Sequence, residues 1–144
     1  MLRLVECVPN FSEGRDRVVI DAITAQISGV TGATLLDVDP GEATNRTVVT
    51  FVAPPEVVVE AAFRAIAKAA ELIDMRNHKG AHARQGATDV CPLVPVSGIT
   101  VEECVELCRE LGERVGEELK IPVYYYEAAA LKEERRSLAD IRVG

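Results

Sequence analysis

The stretch Thr34-Leu-Leu-Asp-Val-Asp39-Pro-Gly-Glu-Ala-Thr-Asn45-Arg-Thr-Val-Val-Thr-Phe-Val-Ala53 decides the fold. It holds two apolar, β-branched runs, Thr34 to Val38 and Arg46 to Ala53, separated by the turn-forming residues Asp39 to Asn45. Such runs read as strands, and a spacer this short and polar joins them directly, with no helix between. A doubly wound α/β chain alternates strand and helix, so the direct joint argues against that architecture.

Working outward, Val19, Ala22, Ile23 and Ile27 follow helical spacing from Asp16, and Ser28-Gly29 supplies the stop. Before that helix, Leu2 to Val8 reads as a strand ending at Pro9-Asn10, with a loop from Pro9 to Gly14. On the other side, Pro54-Pro55 closes the second strand and sets proline at a helix start, where its missing N–H costs nothing. The helix that follows carries Val59, Ala62, Phe63, Ile66, Ala70 and Ile73 on one stripe.

Val90 to Val96 resumes strand character, although Pro92 and Pro95 remove two ladder donors and demand an edge or irregular position. Thr100 with Glu103 predicts a capping box opening a last helix. Its stripe is Val101, Cys104, Val105, Cys108, Leu111, Val115 and Leu119. Val123 to Tyr126 reads as a further strand, and the charged remainder from Leu131 carries no clear element.

The order is βαββαβ followed by an additional αβ unit. This predicts an α+β, ferredoxin-like (split βαβ) mixed sheet with helices packed on one face. The 144 residues fit a single domain spanning 1–144.

A hydrophobic fraction of 48% supports a real core, and 4% aromatics means that Val, Ile, Leu and Ala must build it. The net charge of −7 argues against general nucleic-acid or anionic-membrane binding, which need a basic face. With neither a signal-like N-terminus nor a membrane-length apolar run, the chain reads as cytoplasmic. Cys7, Cys91, Cys104 and Cys108 lack zinc-type or disulfide-scaffold spacing and read as buried thiols.

Both histidines fall in Asp74-Met-Arg-Asn-His78-Lys-Gly-Ala-His82-Ala-Arg84-Gln-Gly86, whose Arg76, Lys79 and Arg84 outnumber the single Asp74. The local charge opposes the global one. That makes the segment a candidate anion site with an imidazole able to exchange protons near neutrality. A solvated basic loop with incidental histidines accounts for the same residues equally well. A zinc site from His78, His82 and Asp89 or Cys91 is open on ligand type only. Asp37 and Asp39, alternate residues of one strand, can share a face as a carboxylate pair, or simply end the strand and begin the turn.

Several ordered motifs run through nearly the whole chain. They include Val5-Glu-Cys-Val-Pro-Asn-Phe-Ser-Glu-Gly14, Leu36-Asp-Val-Asp39 with Asn45-Arg-Thr-Val48, and His78-Lys-Gly80. Further along come Asp89-Val-Cys-Pro92, Pro122-Val-Tyr124 and Arg135-Arg136 with Ile141-Arg142. Together they resemble the N-terminal subdomain of glutamate formiminotransferase and of the bifunctional formiminotransferase-cyclodeaminase. The resemblance implies a ferredoxin-like subdomain that pairs with a second subdomain of similar fold around a folate tunnel. It also implies a place in histidine degradation and one-carbon metabolism.

The family reaction moves the formimino group from N-formimino-L-glutamate to N5 of tetrahydrofolate, the acceptor substrate, with no metal. His82 falls on the family's catalytic histidine. Asp39, Arg46, Lys79 and Arg84 are then the candidates for orienting or pairing with folate and substrate. Ala81 and Ala83 stand where the family commonly has Glu and Pro. The expected partners are a C-terminal subdomain protein or a homodimer. A non-catalytic folate-binding or protein-interaction domain of the same fold is the alternative.

Overall fold

The computed structural model describes residues 2–73 and 88–120. In chain order its elements are β1 (Leu4–Cys7), β2 (Asn10–Phe11), α1 (Arg17–Ser28), β3 (Thr34–Gly41), β4 (Arg46–Ala53), α2 (Pro55–Leu72), β5 (Thr88–Val90), β6 (Leu93–Ser97) and α3 (Val101–Glu118). The strand expected at Val123–Tyr126 and the charged stretch from Leu131 lie outside the described residues.

The first strand does not end at Pro9. Val5 pairs with Ala53 and Cys7 with Phe51, while Asn10 pairs with Val48 and Phe11 with Thr47, all in one continuous antiparallel register. At the joint, the Val49 N–H donates to the Pro9 carbonyl at 3.0 Å. Proline has no N–H to return, so that rung is half made and the strand carries on as β2.

The opposite ribbon behaves in the same way. β5 pairs with β2 and β6 with β1, and the Val8 N–H donates to the Pro92 carbonyl at 3.1 Å. The Val8 carbonyl, which Pro92 cannot serve, accepts from the Asn10 side-chain amide at 3.3 Å. Pro95 faces Val5 three residues on, on a rung whose N–H side points away from β1 by antiparallel alternation. Among the described strands the two prolines thus sit on an edge ribbon, as their chemistry demands.

The sheet is therefore four ribbons in the order β3, β4, β1 with β2, and β6 with β5. β4 lies between β1 and β3, the two strands that α1 connects, which is the split βαβ arrangement of a ferredoxin-like fold. The described strands all pair antiparallel, and the strand of the additional αβ unit lies outside the described residues. The hairpin and the two helical crossovers leave every neighbour pointing the other way. β3 also runs further than expected. Asp39, Pro40 and Gly41 pair with Val48, Thr47 and Arg46, so the turn shrinks to Glu42–Asn45. Pro40 is tolerated there because β3 is an edge strand among the described strands.

Val5, Cys7, Phe11, Val49, Phe51 and Ala53 point to one face and are almost fully buried. They form one apolar cluster with Ile23 and Ile27 of α1, Val58, Ala62 and Ala65 of α2, and Cys104, Leu111 and Val115 of α3. Burying a side chain the size of Phe51 contributes about 1.5–3 kcal/mol, so this face holds the domain together. The small alanines of α2 let its backbone approach the sheet closely. Within the expected stripes, Ala70 and Val101 prove exposed, each lying at the margin of its helix's apolar face.

The helix ends follow local chemistry. The Asp16 carboxylate accepts from the N–H groups of Val18 and Val19 to cap α1. Pro55 occupies the first turn of α2, and Thr100 and Glu103 complete a reciprocal capping box on α3.

Candidate functional site

The described helices cover one sheet face, and among the described residues none covers the other. Asp37 faces Thr50, Asp39 faces Val48 and Gly41 faces Arg46, so Asp37, Asp39 and Arg46 share that uncovered face. Both aspartates are exposed and Arg46 is half-buried. The two aspartates share a face, as alternation predicts, and β3 continues past both to Gly41. In the same cross-strand row, Asn10 stands on the far side of Val48 from Asp39. Asn10 belongs to the loop expected from Pro9 to Gly14, and its place in the row follows only from the register.

The end of the sheet bearing Arg46 is tied down by the loop after β2. The Gly14 N–H donates to the Asn45 side-chain oxygen at 2.8 Å, and the Thr47 hydroxyl donates to the Glu13 carbonyl. Asn45 adopts φ 54°, a left-handed conformation that asparagine tolerates well. The Arg15 Nε–H reaches across to the Glu42 carbonyl at 2.9 Å. Glu13 in turn accepts from the N–H groups of Arg15 and Asp16 at the start of α1. The loop from Ser12 to Asp16 and the hairpin from Gly41 to Thr47 are thereby one rigid unit, which positions Arg46 and, two rungs along, Asp39.

His82, Lys79 and Arg84, together with His78 of the zinc alternative, lie outside the described residues. The chain reaches them from Ile73, buried behind α2, and returns at Thr88, paired with Phe11. That return point adjoins Asn10, in the row that also holds Asp39. Among the described residues, no group of three His, Cys, Asp or Glu side chains could hold a metal ion.

The uncovered face is also apolar in part. Leu36, which bulges out of the β3–β4 register, is 55% exposed, and Val94 and Val96 on the edge ribbon are 43% and 54% exposed. Half-buried Val48, Val52 and Leu4 lie between them. A face that mixes this much apolar surface with Asp37, Asp39, Asn10 and Arg46 is suited to burial against a second body that leaves a polar gap. No described helix is long and apolar enough to cross a membrane.

The thiols split by environment. Cys7 and Cys104 are buried, while Cys91 and Cys108 are partly so. Burial pushes the Cys7 thiol well up, and burial together with the neighbouring Cys91 raises Cys108 to about 12. None of them lies in the polar row.

Residues 4–144 match the family model described as formiminotransferase domain, N-terminal subdomain. Formimidoyltransferase-cyclodeaminase of Gallus gallus is 58% identical over the whole chain, which covers 27% of that relative. Glutamate formimidoyltransferase of Streptococcus pyogenes serotype M1 is 46% identical over 144 residues, with 48% of the relative covered. The enzyme of the same name from Thermoplasma acidophilum is 52% identical over 98% of this chain and 46% of its own length. The chain thus spans about half the length of the glutamate formimidoyltransferases that it matches and about a quarter of the bifunctional proteins.

Proposed function

Because the chain belongs to the family of formiminotransferase N-terminal subdomains, we propose that it supplies one half of a folate-dependent formimino transfer site. In this reading, N-formimino-L-glutamate is the donor, N5 of tetrahydrofolate is the acceptor, and His82 is the acid–base group. The observation that carries the reading is the sheet face opposite the described helices, where Asp39 and Asn10 share a row that ends beside Thr88 and Arg46 stands two rungs along.

The chemistry asks for one group that both takes and gives a proton. N5 attacks the formimino carbon and forms a tetrahedral adduct. The proton leaves N5 for the His82 imidazole, and the same imidazole then protonates the departing glutamate nitrogen as its bond to carbon breaks. An imidazole with a pKa of about 6.5 serves both steps without leaving a net charge change. Asp39 orients the imidazole or a substrate N–H. Arg46, Lys79 and Arg84 pair with the carboxylates of formiminoglutamate or the folate tail, arginine suiting a bidentate contact.

The partly apolar face bearing Leu36, Val94 and Val96 then receives a second subdomain, which closes the folate site. This fits a chain that spans 48% of a matched relative.

The test is formimino transfer measured with the chain joined to, or mixed with, the C-terminal half of a relative. His82→Ala is expected to reduce kcat by about 10²–10⁴-fold while folinate still binds in a calorimetric titration. Transfer that survives His82→Ala overturns the catalytic assignment. Folinate binding with no transfer in any pairing replaces it with the non-catalytic folate-binding reading.

A further inference from the structure

The geometry points to a modification site apart from the proposed transfer site: Cys7 and Cys91 form a thiol pair that a peroxide oxidant closes into a disulfide. Their Sγ atoms lie 3.5 Å apart, in contact but unbonded. Cys7 sits on central strand β1 with no exposure, and Cys91 sits at the joint between β5 and β6, partly open to solvent. The pairing follows from the register. Cys7 faces Leu93, so Cys91, two residues back on the same face of the edge ribbon, is its diagonal neighbour.

The division of labour between the two sulfurs follows from their burial. Cys91 is the accessible one and meets the oxidant. Cys7 is enclosed and so shielded from the oxidant, and its sulfur already lies against the Cys91 sulfur that it attacks in the second step. The Cys91 thiol gives its proton to solvent and the sulfur attacks one oxygen of hydrogen peroxide; the O–O bond breaks, sulfenic acid forms, and the released hydroxide takes up a proton as the first water. Cys7 sulfur then attacks the Cys91 sulfur, the S–O bond breaks, and the Cys7 proton leaves with the hydroxide as water. The sum is two thiols and one peroxide giving one disulfide and two waters, a two-electron oxidation.

The product staples the edge ribbon to the central strand. Cys108, which packs against the same cluster from α3, has no described sulfur contact as short and is left out. Cys104 lies four residues from Cys108 on α3, in the same apolar cluster, and likewise has no described sulfur contact as short. The inference does not depend on the role of His82.

The test treats the whole 144-residue chain with hydrogen peroxide, blocks the remaining thiols with an alkylating agent, and maps an unreduced digest by mass spectrometry. The expected result is one peptide pair joined through Cys7 and Cys91, lighter by two hydrogens, with titratable thiols in the denatured chain falling from four to two. Dithiothreitol restores all four. Cys108→Ala leaves the linkage intact, and Cys7→Ser halts oxidation at a Cys91 sulfenic acid that a 1,3-dione traps. A linkage through Cys108 or Cys104, or oxidation of Cys91 to sulfinic acid with Cys7 still free, overturns the inference.

Discussion

Substituting Gly14 by Ala tests whether the loop after β2 and the β3–β4 hairpin form one unit. A Cβ at residue 14 would lie 2.3 Å from the Gly41 carbonyl oxygen and 2.6 and 2.7 Å from the backbone N and O of Arg46. All three distances are far inside the ~3.5 Å at which nonbonded heavy atoms rest. All three atoms are backbone, so no side chain can swing aside. Either the hairpin moves by about an ångström or the loop does, and an overpacking shift of this kind costs about 1–3 kcal/mol. The Gly14 N–H bond to Asn45, 2.8 Å long and buried, is lost or lengthened in the same movement, adding about 1 kcal/mol.

The expected destabilisation is therefore about 2–4 kcal/mol. With a urea m-value of ~2 kcal/mol/M, the midpoint falls by roughly 1–2 M with m unchanged. Equilibrium urea unfolding followed by far-UV circular dichroism reads this directly. Asn45→Ala removes the acceptor alone, and because both changes act through one contact, the double variant should lose less than the sum of the singles. A Gly14→Ala midpoint within about 0.3 M of the parent, or strict additivity with Asn45→Ala, refutes the idea that this junction holds the hairpin.

Three further outcomes follow. Thr100→Ala removes the hydroxyl that accepts from the Glu103 N–H and should cost about 1 kcal/mol in thermal or urea unfolding, with Ser restoring most of it. Phe51→Ala, at a fully buried site opposite Cys7, should cost about 3–5 kcal/mol, enough to leave much of the chain unfolded at 37 °C by circular dichroism. The reduced chain should lose stability as pH rises above about 9. Unfolded thiols ionise there, while burial holds Cys7 and Cys108 protonated, Cys108 up to about 12, so the unfolded state binds fewer protons. Each such thiol steepens the loss by up to about 1.4 kcal/mol per pH unit, and a urea midpoint that stays level from pH 8.5 to 10.5 would contradict the burial of these groups.

Legibility in the sequence followed the range of the forces involved. Pro55 at a helix start and Thr100 with Glu103 at another were readable because a cap acts within one turn. The boundaries at Pro9 and Asp39 were misread for a related reason. A proline and a turn-forming Asp-Pro-Gly are local stop signals, yet β4 supplies pairing across the sheet that outweighs a single absent donor. Asp37 and Asp39 sharing a face was readable from alternation alone. Asn10 joining the row of Asp39, and Cys91 meeting Cys7 across residues 8 to 90, were not.

From the sequence alone came the order of elements, the apolar stripes, the charge that disfavours nucleic acid, and the motifs that named the family. Each of these rests on short periodicities or on residues near one another in the chain. Only the tertiary structure decided which sheet face the described helices leave open, that Asp39, Asn10 and Arg46 stand on it together, and that two thiols 84 residues apart touch. Those facts depend on strand register, and register is set by long-range pairing and by burial of one face, neither of which a local stretch of sequence contains.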